Sequence, residues 1–321
     1  MALGEFDLIA RYFANCGPQR TDVRVGVGDD GAVLAPPLGH DLIAVVDTLV
    51  EGRHFPPDSP PDSIGHRALA VNLSDLAAMG ATPAWALLAL TLPAANERWL
   101  EQFARGADRL LRRYGVALVG GDTTSGPLTI TVQLLGFVPR GLALRRNGAQ
   151  PGDVVMVSGT PGDAAAGLAL EQAQLVAAED VAVALRQRFL YPEPRVELGV
   201  ALRRLASACI DVSDGLGADL GKLCTASGCG AELELSAMPL SGPLIAAVGR
   251  ARALQLALAG GDDYELCFTV PPTAFSQLVE LARVSSTPIA RIGSVTERSG
   301  VVLRDGATVT QFSARGFDHF R

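Results

Sequence analysis

The chain has 321 residues, of which 48% are hydrophobic and 19% are charged, and its formal net charge is −7. This length suits two domains of about 150 residues, and the composition excludes an intrinsically disordered chain. The acidic balance, with no basic cluster beyond short pairs such as Arg112 with Arg113, excludes a nucleic-acid-binding face. We therefore expect a two-domain globular protein that binds no nucleic acid.

Cysteine usage and hydropathy predict a cytoplasmic protein. The five cysteines form no C-x-x-C pair, which argues against a zinc site or a redox pair and is typical of reduced, buried thiols. The N-terminal stretch MALGEFDLIARYF carries Glu5 and Asp7 and lacks the apolar region of a secretory signal. The longest apolar run, near residues 84–92, is too short to span a bilayer, so we expect no membrane contact.

Apolar periodicity predicts alternating strands and helices in the first half of the chain. The predicted elements are a strand at 42–46 that stops at Asp47, a helix at 63–79, a strand at 85–92, a helix at 97–114, a strand at 116–119 and a strand at 128–138. Pro, Gly and Asn then predict a connection at 145–153. We place the domain boundary there, which gives domains 1–148 and 149–321.

The second half repeats the alternation. The predicted elements are a strand at 154–158, a helix from Asp163, a helix at 192–204, a strand at 209–212, a helix through Leu223, a helix at 244–258 and a strand after the loop GGDD. Alternation in both halves predicts the α/β class.

The stretch GVGDDG at residues 26–31 satisfies G-x-G-x-x-G, the loop of dinucleotide-binding domains. That loop needs a helix directly after its glycines, but Pro36 and Pro37 end any helix almost at once. A pyrophosphate would also meet Asp29 and Asp30, and like charges about 4 Å apart repel by about 4 kcal/mol at an effective dielectric of 20. The match to the dinucleotide-binding motif is therefore interpreted as a coincidence. The carboxylates of Asp29 and Asp30 are interpreted as available to bind a cation.

Carboxylates recur where apolar strands stop beside glycine, the edge at which open α/β sheets bind ligands. They are Asp30, Asp47, Asp75, Asp122, Asp211, Asp214, Asp262 and Asp263. Each has a structural alternative: a β-turn at Asp30, solvent exposure at Asp75, a turn cap at Asp122 and a helix N-cap at Asp214. One shared cause, a cluster of Mg²⁺ ions bridged to substrate phosphates, explains all of them together.

Magnesium, phosphates and glycine-rich loops together indicate nucleotide chemistry. The sequence has neither the G-x-x-x-x-G-K-[ST] loop nor the H-R-D and D-F-G motifs. A kinase built on this chain would therefore use neither of the common ATP-binding scaffolds.

The motifs, taken in order along nearly the whole chain, resemble those of the thiamine-monophosphate kinases, a family of the aminoimidazole-ribonucleotide-synthetase-like (PurM-like) superfamily. They are GEFDLIARYF, GVGDDGAVL, DTLVEGRHF, ALAVNLSDLAAMGA, GGDTTSGP, GTPGDAAAGLAL, IDVSDGL, GGDDYELCFTV and GFDHF. The resemblance implies a two-domain PurM-like α/β (α+β) fold. It also implies a homodimer formed through the N-terminal sheets, a C-terminal α/β domain, and ATP bound in the cleft between the domains.

The resemblance further implies transfer of the ATP γ-phosphoryl group to thiamine monophosphate, assisted by several Mg²⁺ ions and without a separate catalytic base. By matching position it implies metal ligands at Asp30, Asp47, Asp75, Asp122, Asp211 and Asp214, with backbone contributions at Val45 and Val46. It implies ATP contacts at Gly121, Asp122, Arg146 and Ser213, and thiamine-phosphate contacts at His54, Asp262 and Phe317.

Two positions depart from the family pattern. Relatives often carry Ser or Thr directly before Asp47, where this chain has Val45 and Val46, so a metal contact there would have to use a backbone carbonyl. Relatives often read GGEDYEL, where this chain has Asp262, whose side chain is one methylene shorter.

Three other functions stay open on the sequence. The first is an ATP-using enzyme of the same superfamily with another acceptor. The second is a nucleotide-binding regulator without turnover, and the third is a metal-dependent phosphatase.

Overall fold

The computed structural model describes residues 4–284, 287–313 and 316, and the chain divides into two compact units. Unit 1 comprises Met1–Leu76 and Ala81–Gly141, and unit 2 comprises Ala77–Gly80 and Leu142–Arg321. Both units combine helices with sheets, which confirms the predicted mixed α/β class.

Unit 1 is built on a four-stranded sheet with the order β3-β6-β4-β5, in which β4 and β5 are parallel and the other neighbours antiparallel. Its elements are α1 (Glu5–Leu8), a π-helical segment (Ile9–Phe13), β1 (Val23–Val25), β2 (Val33–Leu34), β3 (His40–Val50), α2 (Pro61–Ala78), β4 (Thr82–Leu92), α3 (Glu97–Arg113), β5 (Ala117–Ser125) and β6 (Thr129–Pro139). Ala68 of α2, Phe103 of α3 and Val132 of β6 line one small apolar cavity, so both helices pack on the same face of the sheet.

Glycines let α2 and α3 cross in close contact. A Cβ atom at Gly106 would lie 1.9 Å from the carbonyl oxygen of Asp62, and one at Gly65 would lie 2.1 Å from the carbonyl oxygen of Phe103. The two backbones therefore touch where neither carries a side chain.

Unit 2 contains a seven-stranded sheet with the order β13-β12-β9-β11-β7-β10-β8. Its strands are β7 (Val154–Ser158), β8 (Ala208–Val212), β9 (Gly230–Glu234), β10 (Glu265–Val270), β11 (Ile289–Thr296), β12 (Gly300–Asp305) and β13 (Thr308–Gln311). Its helices are α4 (Asp163–Glu171), α5 (Glu179–Leu190), α6 (Val196–Leu202), α7 (Leu216–Ser227), α8 (Gly242–Ala259) and α9 (Phe275–Val284). Every residue of β7, β8 and β10 is buried, which places these strands in the core.

Elements α5, α9, β9, β11, β12 and β13 were not predicted from the sequence. Three of the predicted elements also differ from their expected extent or continuity. β3 continues through Asp47 to Val50, because it pairs with β6 along its whole length. β5 continues through Gly120 and Asp122 to Ser125, because it pairs with β4. α8 is interrupted at Gly249, whose φ of 74° is not helical. Asp47 and Asp122 therefore lie inside strands and not after them.

Among the residues that the structure describes, no helix combines the length and apolarity needed to cross a bilayer. The cysteines are free thiols, and four of them are buried in unit 2: Cys209, Cys224, Cys229 and Cys267. Burial raises the pKa of the Cys224 thiol to about 12, so this thiol is unreactive near neutral pH, in agreement with the expectation of inert thiols.

Candidate functional site

Asp47 and Asp75 form a carboxylate pair in unit 1. Asp47 lies on β3 and Asp75 on α2, and the two side chains hydrogen-bond to each other. Between Ser63 and Ala78 every residue of α2 except Asp75 is buried. Asp75 is therefore the one residue in this stretch of the helix whose side chain is partly exposed to solvent, and it lies beside Asp47.

The environment of this pair suits a divalent cation. Burial raises the pKa of Asp47, and the hydrogen bond with Asp75 offsets part of that rise. Two carboxyl groups in contact are both ionised only if positive charge lies between them. Hard carboxylate oxygens are the ligands that Mg²⁺ prefers, so the residues present fit the predicted ion.

The register of the sheet places Asp122 on the other face from Asp47. Asp122 pairs with Ala89, which pairs with Thr131, which in turn pairs with Thr48. The hydroxyl oxygens of Thr48 and Thr131 lie 2.8 Å apart, as expected for side chains on one face. Because neighbouring residues of β3 point to opposite faces, Asp47 faces α2 while Asp122 and Thr48 share the face opposite α2.

The remaining metal ligands predicted in unit 1 lie in the loop between β1 and β2 and on β3. Asp30 is exposed, and its backbone N–H donates to Asp29 Oδ1 at 2.8 Å. The chain then forms strand β2 and not a helix, which supports rejecting a dinucleotide-binding loop. Val45 is half-buried and Val46 is 59% exposed. β3 is an edge strand, so every second carbonyl points away from β6 and is available to a ligand.

His54 and Gly121 have well-defined local roles. The Nδ1 atom of His54 accepts the N–H of Val50 at 3.0 Å, so a neutral ring carries its proton on Nε2. A Cβ atom at Gly121 would lie 1.8 Å from the carbonyl oxygen of Leu88, so only glycine allows this approach of β5 to β4.

Two loops of unit 2 meet at their backbones and carry the other predicted residues. Asp211 is buried near the end of β8, and Ser213 and Asp214 follow that strand. The Ser213 carbonyl accepts the N–H of Asp262 at 2.9 Å. A Cβ atom at Gly261 would lie 2.4 Å from the same carbonyl oxygen. The structure thus joins the predicted ATP-contact segment to the predicted substrate-contact segment.

Asp219 and Lys222 hold the Ser213 loop in place, and the sequence analysis missed both. Asp219 Oδ2 accepts the backbone N–H groups of Ser213 at 3.0 Å and Asp214 at 2.9 Å. The Lys222 ammonium donates to Asp219 Oδ1 at 2.7 Å and also contacts Asp214. Burial raises the pKa of Asp219, and Lys222 partly offsets that effect. An acidic residue in the first turn of a helix, here α7, was the signal for this anchor.

For two predicted site residues, Arg146 and Phe317, the structure describes no side-chain contact. Arg146 is exposed, and its carbonyl accepts the hydroxyl of Ser227 at 3.1 Å. Phe317 lies outside the described residues.

Across residues 4–284, 287–313 and 316, no three His, Cys, Asp or Glu side chains are gathered closely enough to hold a metal ion by themselves. Asp47 and Asp75 are a pair of predicted ligands whose side chains are in contact. The other predicted metal ligands stay predictions.

Both units match family models of known proteins. Residues 28–138 match the N-terminal domain of AIR synthase related protein, and residues 150–306 match its C-terminal domain. Fold and sequence therefore define a two-domain AIR-synthase-related, PurM-like protein.

Similarity to individual proteins identifies the family within this class. The chain is 50% identical over 323 residues to the thiamine-monophosphate kinase of Salmonella typhimurium, covering 100% of this chain and 99% of the relative. The crystal structure of the Stenotrophomonas maltophilia K279a thiamine-monophosphate kinase matches with a TM-score of 0.87 at 46% identity, covering 96% of this chain and 99% of that one. The structure of AaThiL complexed with AMPPCP and TMP matches with a TM-score of 0.79 at 33% identity, covering 100% of this chain and 99% of that one. The chain belongs to the thiamine-monophosphate kinase family.

Proposed function

We propose that this chain transfers the γ-phosphoryl group of ATP to the phosphate of thiamine monophosphate, giving ADP and thiamine diphosphate. The observation that carries the proposal is the full-length similarity to thiamine-monophosphate kinases, at 50% identity in one relative. A related structure that holds AMPPCP, an ATP analogue, together with TMP supports the same pair of substrates.

The chemistry needs little covalent help from the protein. The bond between the γ-phosphorus and its bridging oxygen breaks, and a phosphate oxygen of thiamine monophosphate forms the new bond. This acceptor is already ionised near neutral pH, so no strong general base is required. The main barrier is the approach of two anions, so positioning and charge neutralisation dominate.

Several Mg²⁺ ions would supply that charge neutralisation when bound. The proposed ligands are the carboxylates of Asp30, Asp47, Asp75, Asp122, Asp211 and Asp214, with backbone groups of Val45 and Val46. The contact between Asp47 and Asp75 supports this role, because both carboxyl groups are ionised together only when a positive charge lies beside them.

The chain's own side chains would bind and orient the substrates. Gly121, Asp122, Arg146 and Ser213 are the proposed ATP contacts, and the Arg146 guanidinium would face the nucleotide phosphates. His54, Asp262 and Phe317 are the proposed contacts to thiamine phosphate. The defined tautomer of His54, with its Nδ1 bound to the N–H of Val50, supports a fixed donor at Nε2.

A homodimer and a cytoplasmic location complete the proposal. Leu42 and Val46 expose 51% and 59% of their surface on the face of β3 that α2 does not cover. Exposed apolar side chains on an edge strand suit contact with a second copy of the chain. The buried free cysteines are typical of a reducing compartment, which supports the cytoplasm.

The direct test is to incubate the purified protein with ATP, Mg²⁺ and thiamine monophosphate and to separate the products by ion-pair chromatography. We expect thiamine diphosphate and ADP in equal amounts, and no ADP when thiamine monophosphate is left out. ADP formation only with a different acceptor would contradict the proposed substrate. Inorganic phosphate released from a single phosphate compound would indicate a phosphatase, and ATP binding without turnover would indicate a regulator.

A further inference from the structure

We propose that Asp263 and Tyr264 are positioning residues, which fix the backbone and the carboxylate of Asp262 for the acceptor substrate. The inference rests on the proposed function and deepens it at one site. Residues 260–264, with the sequence GGDDY, connect α8 to β10 in unit 2. The sequence groups Asp263 with the aspartates that suggest a magnesium cluster and predicts no role for Tyr264.

The backbone of this segment is held in an unfavourable conformation. Asp262 has a φ of 66° and Tyr264 a φ of 51°, so two non-glycine residues with left-handed backbone flank Asp263. Such conformations cost free energy and persist only where the surroundings determine them, and they cluster at ligand sites.

Hydrogen bonds from three sides impose that conformation. Asp263 is 1% exposed, and its Oδ1 and Oδ2 atoms lie 2.9 Å and 2.8 Å from the N–H of Gly162, which donates to both. The N–H of Asp262 donates to the carbonyl of Ser213 at 2.9 Å, and the N–H of Tyr264 donates to the carbonyl of Val212 at 2.8 Å. Each of the three consecutive residues is therefore anchored separately.

The consequence is a fixed carboxylate at Asp262. Asp263 turns into the core, while Asp262 stays partly exposed. The hydroxyl of the buried Tyr264 donates to Asp262 Oδ1 at 3.1 Å, which sets the rotation of the carboxylate. The side chain of Asp262 is one methylene shorter than the Glu of the family pattern, so it reaches a ligand only if its backbone is placed accurately.

The test is Tyr264→Phe, which removes the hydroxyl and keeps the ring. We expect KM for thiamine monophosphate to rise about fivefold, the effect of losing the typical net contribution of one hydrogen bond. KM for ATP and kcat should stay within about twofold of wild type. Tyr12→Phe is the matched control, because its hydroxyl lies on the partly exposed N-terminal segment of unit 1, and it should leave all three constants unchanged.

A double-mutant cycle separates positioning from a general structural effect. In an Asp262→Ala background, Tyr264→Phe should produce no further rise in KM for thiamine monophosphate. The same fivefold rise in both backgrounds, or an equal rise in KM for ATP, would overturn the proposal.

A third variant tests the strained backbone. Asp262→Gly should raise KM for thiamine monophosphate as much as Asp262→Ala does, without lowering Tm, because glycine adopts a φ of 66° freely. A Tm several degrees below wild type would contradict the imposed conformation. Wild-type protein that forms no thiamine diphosphate would refute the proposed function, whereas active wild type with an unchanged Tyr264→Phe variant would refute this inference alone.

Discussion

Aspartates with similar neighbours in the sequence have different structural roles in this molecule. Asp47 and Asp75 lie against each other at the open point of α2, whereas Asp219 and Asp263 are buried and accept backbone N–H groups. All four lie near glycines in the sequence. What distinguishes a candidate metal ligand from a residue that anchors a loop is its hydrogen-bond partner: a second carboxyl group in the first case and backbone N–H groups in the second.

Asp75→Asn tests the carboxylate pair. We expect kcat to fall at least 100-fold at saturating Mg²⁺, because one negative ligand that helps neutralise the approaching phosphates is lost. Asp47→Asn should behave alike. The measurement is the rate of thiamine diphosphate formation.

Glu101→Gln is the matched control, because this carboxylate is 62% exposed and pairs with the equally exposed Arg105 within α3. It should keep wild-type turnover. Near-normal turnover of Asp75→Asn would contradict the proposed metal role.

Glu265 is the centre of a buried ion-pair network and has a structural role. Its side chain is fully buried, Arg195 donates to both carboxylate oxygens at 2.6 Å, and Arg188 contacts Oε1 at 2.5 Å. Glu265→Gln leaves two largely buried guanidinium groups without their counter-charge. We expect the free energy of unfolding, measured in urea, to fall by about 3 kcal/mol.

The same network predicts a dependence of stability on pH. Burial by itself would raise the pKa of Glu265, but Arg195 and Arg188 outweigh it and lower the pKa below the ordinary value of 4.5. The stabilisation is therefore complete above about pH 4.5 and is lost as the pH falls through the lower folded-state value. Glu265→Gln should lack this part of the acid dependence of Tm, and an unchanged acid profile would contradict the assignment.

At the scale of elements, close backbone contact fixes how α2 lies on α3. The chain places glycine at both contact points, Gly65 and Gly106. This contact positions α2, the helix that carries Asp75, beside α3 on the same face of the sheet. Its loss would disturb the candidate site as well as the core.

Gly106→Ala should lower the free energy of unfolding by more than about 2 kcal/mol, because the added methyl group overlaps the carbonyl of Asp62. Gly221→Ala is the matched control: Gly221 lies inside α7 with no atom within 4 Å of an added Cβ. There we expect a gain of about 0.5–1 kcal/mol from helix propensity. Thermal unfolding of both variants measures the contrast, and equal shifts would contradict the close contact.

At the scale of the whole molecule, the exposed apolar face of β3 predicts self-association. Leu42→Lys places a charge on that face. We expect analytical ultracentrifugation to show a dimer for the wild type and a monomer for this variant. Val183→Lys on α5 is the matched control, because Val183 is 56% exposed and lies in unit 2. A dimer that survives Leu42→Lys would locate the interface elsewhere.

The sequence by itself determined the α/β class and most elements of the first half of the chain, and it predicts the chemistry of the candidate site. Strand β7 and the start of α4 lie where apolar runs and turn residues predicted them, because these signals act between neighbours in the chain. The recurrence of aspartate beside glycine likewise indicated divalent cations and phosphates.

The tertiary structure decided what depends on partners distant in sequence. Pairing with β6 carries β3 past Asp47, and the register through β4 sets the face of Asp122. Hydrogen bonds from Gly162, Ser213 and Val212 impose the left-handed backbone around Asp263. A local sequence pattern does not predict such contacts, because they form only when segments distant in the sequence pack together.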